Sequence, residues 1–436
     1  MKKTLLSVLL FLFITALCAQ DIKKVKSFVD KKDFEKAKTE IDAFLEKNPT
    51  NAQGWYYKSV IYGNLASSEQ FKSMNPDGRT VAFEAFKKAM DNSKDNKELM
   101  VMMVTDKDFY KPVLDLYTGY FDAAVATYGS GITTKNKEDF TKSMNLFISA
   151  DSVGKYIYTN KWYVIPEIDT LLILDIGKAA INGGNQEQAL LYFKKIADAG
   201  IFRTKEDSTG YSLAYQWLAL HYRDAEDEAN FLKYASLGKQ NFPKDDYFEA
   251  LMLDHYRSKK DYDALFKGYS EVVAKYPDSL LYHVNYATEL FNYVYNSDAG
   301  TKINNREEIL KTVYKELEKA ITLKPDYVTT NWLYGQYYFN AGIDVKEKIK
   351  DIKGAKPEDI KAKADLNAQA KEFFTMAIPY AEKALAGFEE GYKKTERSKY
   401  KSVTDLMQRI YTSLNQADKV KVYETKYDTA DTKFVN

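Results

Sequence analysis

The sequence predicts an all-α chain, a solenoid of antiparallel helix pairs, and three observations carry that expectation. A spacing of four, three and five residues recurs and each time ends in proline. It runs through Ala37, Ile41, Phe44 and Pro49, then Phe231, Ala235, Gly238 and Pro243. Leu265, Tyr269, Val272 and Pro277 repeat it, as do Val313, Leu317, Ala320 and Pro325. Second, Pro243 and Pro277 stand 34 residues apart, and self-similarity at that period marks a helical solenoid. Third, 35 Tyr and 24 Phe supply large packing side chains, while only 20 Gly and 9 Pro in 436 residues argue against a turn-rich all-β fold.

At the N-terminus, residues 1–19 read as a secretory signal peptide. Lys2 and Lys3 are followed by a mostly apolar run of 13 residues, Leu5 to Leu17, and by a small residue at Ala19 for cleavage. The protein is therefore expected to be exported, to the periplasm, the outer-membrane surface or the medium. No later stretch approaches the ~20 apolar residues of a membrane-spanning helix. The single cysteine, Cys18, falls inside the signal. The mature chain then has no thiol for disulfides, zinc ligation or nucleophilic catalysis. Lipidation at Cys18 is the alternative, disfavoured by the bulk of Leu17 before it. Lys+Arg 63 against Asp+Glu 62 gives a net charge of +1, so no broad field favours nucleic acid.

Along the mature chain, Trp55, Ser59 and Tyr62 share one helical face, and Ala82, Phe86 and Ala89 share another on the next helix. A small residue where two helices cross lets the backbones approach, and the large ones fill the space around it. Gly177 and Ala180 precede Ala189 and Phe193 in the same way; Ala219 and Tyr222 precede Phe231; Gly335 and Tyr338 precede a long helix around Ala377 to Ala384. With these residues the chain resembles the tetratricopeptide repeat family. The resemblance implies a right-handed superhelical solenoid over residues 20–430, about nine helix pairs, clearest at 31–62 and 211–338.

The spacing departs from the family, with 45 residues from Ala37 to Ala82 and 61 from Ala82 to Ser143. Insertions account for the excess: Ala66–Thr80, Phe202–Gly210, Asn296–Arg306 and the charged segment 341–366. Within the last, Ala355 to Leu366 is expected to extend the following helix into a finger, with Pro379 as a kink. The pair around Val420 has Glu424 where a large apolar residue is expected, which suits a solvent-facing cap, and 431–436 reads as a tail.

The chemistry of a catalyst is hard to find. His221-Tyr222-Arg223 and His255-Tyr256-Arg257 repeat at the 34-residue period, and roughly 9–10 Å between packed helices is too far for joint metal ligation. These histidines are expected to be structural. Asn296 to Gly300 lacks the acidic spacing of a calcium loop, and no phosphate-cradling glycine loop or nucleophile elbow is present. Arg223 and Arg257 allow two readings: a cationic ladder for a partner's carboxylates, or cations placed to suit a helix C-terminus.

By the family resemblance, residues beside the core positions of each first helix line the concave groove. That implies Tyr56 and Val60, Gln216 and Leu220, Ala250 and Asp254, Val284 and Thr288, and Trp332 and Gln336, with Arg223, Arg257 and Phe291 one turn further on. The family's clamp for a C-terminal carboxylate, a Lys and an Asn four apart, is not reproduced at Gln216/Leu220 or Ala250/Asp254. Trp332, Tyr337 and Phe339 form either a stacking region or part of the core. The expected function is an exported, non-enzymatic scaffold that binds a protein or peptide on its concave face, with no cofactor or metal. The alternative is an envelope glycan- or nutrient-binding protein resembling starch-utilisation lipoproteins. Those usually carry a lipidated cysteine and larger insertions.

Overall fold

The computed structural model describes residues 22–434, except 163–164, 203–209, 297–302 and 304. The expected signal peptide with Cys18, most of the Phe202–Gly210 and Asn296–Arg306 insertions, and the last two residues lie outside the described residues. The chain divides into two compact units, Met1–Phe248 and Glu249–Asn436. All regular structure among the described residues is helical.

The first unit holds α1 (22–30), α2 (Phe34–Lys47), α3 (Ala52–Ser67), α4 (Gly78–Asp91), α5 (Lys97–Thr105), α6 (Lys111–Thr134) and α7 (Lys137–Thr159). It continues with α8 (Thr170–Gly183), α9 (Gln186–Asp198), α10 (Ser212–Asp224) and α11 (Glu228–Asn241). The second holds most of α12 (Tyr247–Lys259), then α13 (Tyr262–Lys275), α14 (Leu280–Tyr295), α15 (Arg306–Leu323) and α16 (Val328–Asp351). It ends with α17 (Pro357–Glu389), α18 (Arg397–Ser413), α19 (Ala417–Asp428) and α20 (Ala430–Lys433). Within each unit, consecutive helices joined by short turns pack side by side, so each unit is a run of antiparallel helix pairs.

Local chemistry starts many of these helices. Asn51 Oδ1 accepts the Gly54 N–H at 2.7 Å, Asp227 Oδ1 that of Asn230 at 3.1 Å, and Asp261 Oδ1 that of Ala264 at 3.1 Å. Each such cap contributes about 1 kcal/mol. The pairs then close through small-against-large packing. Ala82, Phe86 and Ala89 of α4 are fully buried, and a Cβ on Gly177 of α8 would lie 2.1 Å from the ring of Phe193 in α9.

The two insertions that are described throughout, Ala66–Thr80 and 341–366, resolve mostly into helix. Of Ala66–Thr80, α3 takes the first two residues and α4 begins at Gly78. The segment 341–366 is no loop: α16 runs on to Asp351, α17 starts at Pro357, and both helices of the hairpin are lengthened, not the second alone. Lys346 Nζ donates to Asn367 Oδ1 across it at 2.7 Å, and α17 continues as one helix through Pro379. Of the segment read as a tail, residues 431–434 are described. Phe434 is fully buried against Tyr392 and Tyr400, because the terminal pair offers it an apolar slot.

Burial pushes the hydroxyls of Tyr57, Tyr156 and Tyr192 up to about 12 from the ordinary 10. Above pH 10 the unfolded chain loses these protons and the folded chain keeps them, so stability falls as pH rises. We expect stability unchanged by these groups below pH 10 and lost between pH 10 and 12, with tyrosinate absorbance rising together with the loss of helical circular dichroism. Ionisation of all 35 tyrosines with the helix intact would show that these rings are not held.

Candidate functional site

In a stack of helix pairs the first helices form one layer and the second helices another. First helices touch one another here: α3 contacts α6 in the first unit, and α14 contacts α16 and α16 contacts α18 in the second. Two grooves open along them. In the first unit a groove of about 600 Å³ runs between α3 and α6, floored by Tyr56, Val60, Gly63 and Leu116. Its floor is braced from below, where the Tyr56 ring stacks on Phe109 with centroids 4.8 Å apart. In the second unit a groove of about 540 Å³ lies between α16 and α18, lined by Gln336, Asn340, Arg397, Lys401, Asp405 and Arg409.

The residues implied by the family resemblance divide into three groups. Tyr56 and Val60 line the first groove and Gln336 the second. Gln216 is half-buried and donates through Nε2 to Asp245 Oδ2 at 2.6 Å, and the Thr288 hydroxyl donates to the Val284 carbonyl at 2.7 Å. Phe291 is only 3% exposed and packs against Tyr295 at 4.8 Å. It belongs to the core, because one turn beyond the groove positions its helix face has rotated inward.

The two arginines do not act as a ladder of unused cations. Arg223, in the first unit, is exposed and pairs with Asp224 at 3.0 Å. In the second unit Arg257 donates to Asp254, to Glu289 Oε1 at 2.5 Å and to the Tyr269 hydroxyl at 2.7 Å. Partial burial works against the Arg257 charge, but these partners, Glu289 foremost, outweigh it and hold the guanidinium above its ordinary range. Asp254 is thereby engaged as well. The plain reading of these arginines fits the structure better than the ladder.

Trp332, Tyr337 and Phe339 do not make one open platform. Trp332 packs edge-on to Phe388 at 6.3 Å; Phe339 is 2% exposed, and the Arg409 guanidinium covers its ring at 4.7 Å. The histidines are packing residues: His221 stacks on Trp217 at 4.9 Å, while His255 and His283 are buried. Among the described residues no group of three or more His, Cys, Asp or Glu is placed to hold a metal ion.

Two features escaped the sequence reading. One is α5, an extra helix between two pairs, which leaves Met100, Val101 and Val104 exposed. The other is the concentration of aspartates at 106, 108, 115 and 122 along the first groove. A local count of carboxylates in an otherwise neutral chain would have found it.

No family model matches the chain, and no curated protein matches it. Among solved structures, the human IFIT1 dimer with PPP-AAAA is 14% identical over 87% of this chain and 95% of that one, with a TM-score of 0.23. Yeast Tom70 is 13% identical over 96% of each chain, TM-score 0.24. Naa15/Naa10 bound to HypK-THB is 13% identical over 95% of this chain and 64% of that chain, TM-score 0.25. Likeness at this level carries no argument about site or partner, and what identifies the architecture is the packing of the helix pairs themselves.

Proposed function

We propose that the protein is an exported, non-enzymatic interaction scaffold that holds a protein or peptide along the first-helix faces of its helix pairs. The observation that carries this reading is that both grooves described above open on first helices, at the positions of Tyr56, Val60 and Gln336. Grooves of this size accept side chains of a peptide rather than a whole folded surface. Export rests on the signal-like run of residues 1–19, and a protein recovered from the envelope with its N-terminus near Gln20 is the expected product.

A photo-crosslinking residue placed at Val60, Gln216, Asp254 or Gln336 tests the assignment in cells. Covalent adducts to one protein are expected from these positions and not from Glu187 or Lys315, which are exposed on the second helices α9 and α15. Adducts from the second-helix positions alone, or binding to a glycan array with no protein adduct, would overturn it.

A further inference from the structure

We propose that the groove between α3 and α6 takes a basic segment of a partner polypeptide, whose Lys or Arg side chains meet the carboxylates of Asp106, Asp108, Asp115 and Asp122. The inference deepens the scaffold reading above and rests on it. Its first support is charge. The whole chain is balanced at +1, yet four carboxylates and one lysine line this groove. Lys111 is bound to Asp115 at 2.5 Å, and Asp106 Oδ1 accepts the Asp108 N–H at 2.9 Å, which fixes the turn that presents Asp108. Asp108 and Asp122 are exposed and neither forms an ion pair with a described residue. A concave site with one sign of charge concentrates ligands of the other.

Geometry narrows the ligand further. Asp115 and Asp122 are seven residues apart, hence on one face of α6 and about 10 Å apart along its axis. A peptide in the polyproline-II conformation has three residues per turn and rises about 3.1 Å per residue, so side chains three positions apart share one side and span about 9 Å. Between the carboxylates the floor is apolar, made by Tyr56, Val60 and Leu116, which suits the aliphatic stems of Lys and Arg. Beneath it Ser59 is 1% exposed, lines the groove, and its hydroxyl has no hydrogen-bond partner among the described residues. That is an independent sign of an unfilled polar requirement at this floor. Two residues before Asp106, Val104 is 87% exposed, so the acidic rim continues along the chain into the apolar surface of α5. A segment mixing cationic and apolar residues matches both.

The test uses the full-length mature protein and a labelled short peptide with lysine at every third position and alanine and leucine between. Its counterpart has glutamate in place of lysine. Fluorescence anisotropy is expected to show the lysine peptide binding about tenfold more tightly than the glutamate one, weakening as salt is raised. The double variant Asp108→Asn/Asp122→Asn is expected to bind the lysine peptide about fivefold more weakly with unchanged circular dichroism. The control Glu358→Gln/Asp365→Asn, with the same change in net charge on the α17 hairpin, keeps parental affinity. Equal affinity for the two peptides overturns the inference, as does an unchanged Asp108/Asp122 variant. An equal loss in the control does so too, since attraction would then follow net charge alone. Any of these results with crosslinks at Gln216 and Gln336 retained removes the acidic groove and leaves the scaffold. Crosslinks absent from every first-helix position remove the scaffold itself.

Discussion

Replacing Gly238 by alanine is expected to destabilise the first unit by about 2 kcal/mol, whereas the same change at Gly129 stabilises it by up to about 1 kcal/mol. Both glycines lie within helices, so intrinsic propensity favours alanine equally at the two sites. What separates them is space. A Cβ at position 238 would sit 2.0, 2.3 and 2.4 Å from three atoms of the Phe248 ring, while one at 129 meets nothing within 4 Å. The Phe248 ring has nowhere to retreat, being fully buried, with Phe242 at 6.2 Å on one side and Tyr247 edge-on at 6.0 Å. Overpacking of this kind costs about 1–3 kcal/mol, and the upper part of that range exceeds the propensity gain of about 1 kcal/mol. Urea unfolding followed by circular dichroism reads both variants. Gly177→Ala should behave like Gly238→Ala, since its Cβ would lie 2.1 Å from Phe193. If Gly238→Ala unfolds at the parental midpoint, helix contact at this glycine does not depend on a missing side chain.

That contrast also shows which parts of the fold were legible in the sequence. Gly238 and Gly177 sit at small-residue positions read from spacing alone, and the same spacing placed Ala82, Phe86 and Ala89 in the core. Periodicity reports which face of a helix is buried, and that is local information. Where a helix stops is less local. In the charged run 341–366 only the following helix was expected to lengthen, yet α16 also runs on to Asp351, with no apolar stripe to announce it. Both helices lengthen because each continues from a packed stretch, with Gly342 against Phe374, and further turns add one hydrogen bond per residue at little cost.

The candidate site was legible only in part. Gln336, Tyr56 and Val60 were placed beside grooves by the family resemblance, whereas Phe291 was carried one turn too far. Arg257 looks like a cation awaiting a partner in the sequence because Glu289, which holds it, lies 32 residues away. The helix α5 was missed for a related reason. Its run of Leu99, Met100, Val101, Met102 and Met103 has apolar residues on all sides, so periodicity names no buried face, and only Leu99 is buried.

His283→Ala should cost about 3 kcal/mol, for reasons that lie in a single hydrogen-bond chain between α14 and α15. His283 is 5% exposed; its Nδ1 lies 2.5 Å from Glu316 Oε2, and its Nε2 lies 3.0 Å from the Pro277 carbonyl oxygen. A carbonyl only accepts, so Nε2 carries the proton on that side. On the other side Nδ1 meets a carboxyl that is 3% exposed. Removing the ring strands both the Glu316 carboxyl and the Pro277 carbonyl. Lys315 is a poor replacement, 3.8 Å from Glu316 Oε1 on a side chain 82% exposed to solvent. The double variant His283→Leu/Glu316→Leu removes the buried carboxyl and fills the space, leaving only the Pro277 carbonyl without its donor, and should recover to within about 1–2 kcal/mol of the parent. Glu316→Gln keeps an amide able to donate to Nδ1, so its expected cost is only about 1 kcal/mol. Urea midpoints of the four proteins form the measurement. A double variant as unstable as His283→Ala would mean that the loss comes from packing volume rather than from the buried pair, and that α14 and α15 are held by their apolar faces alone.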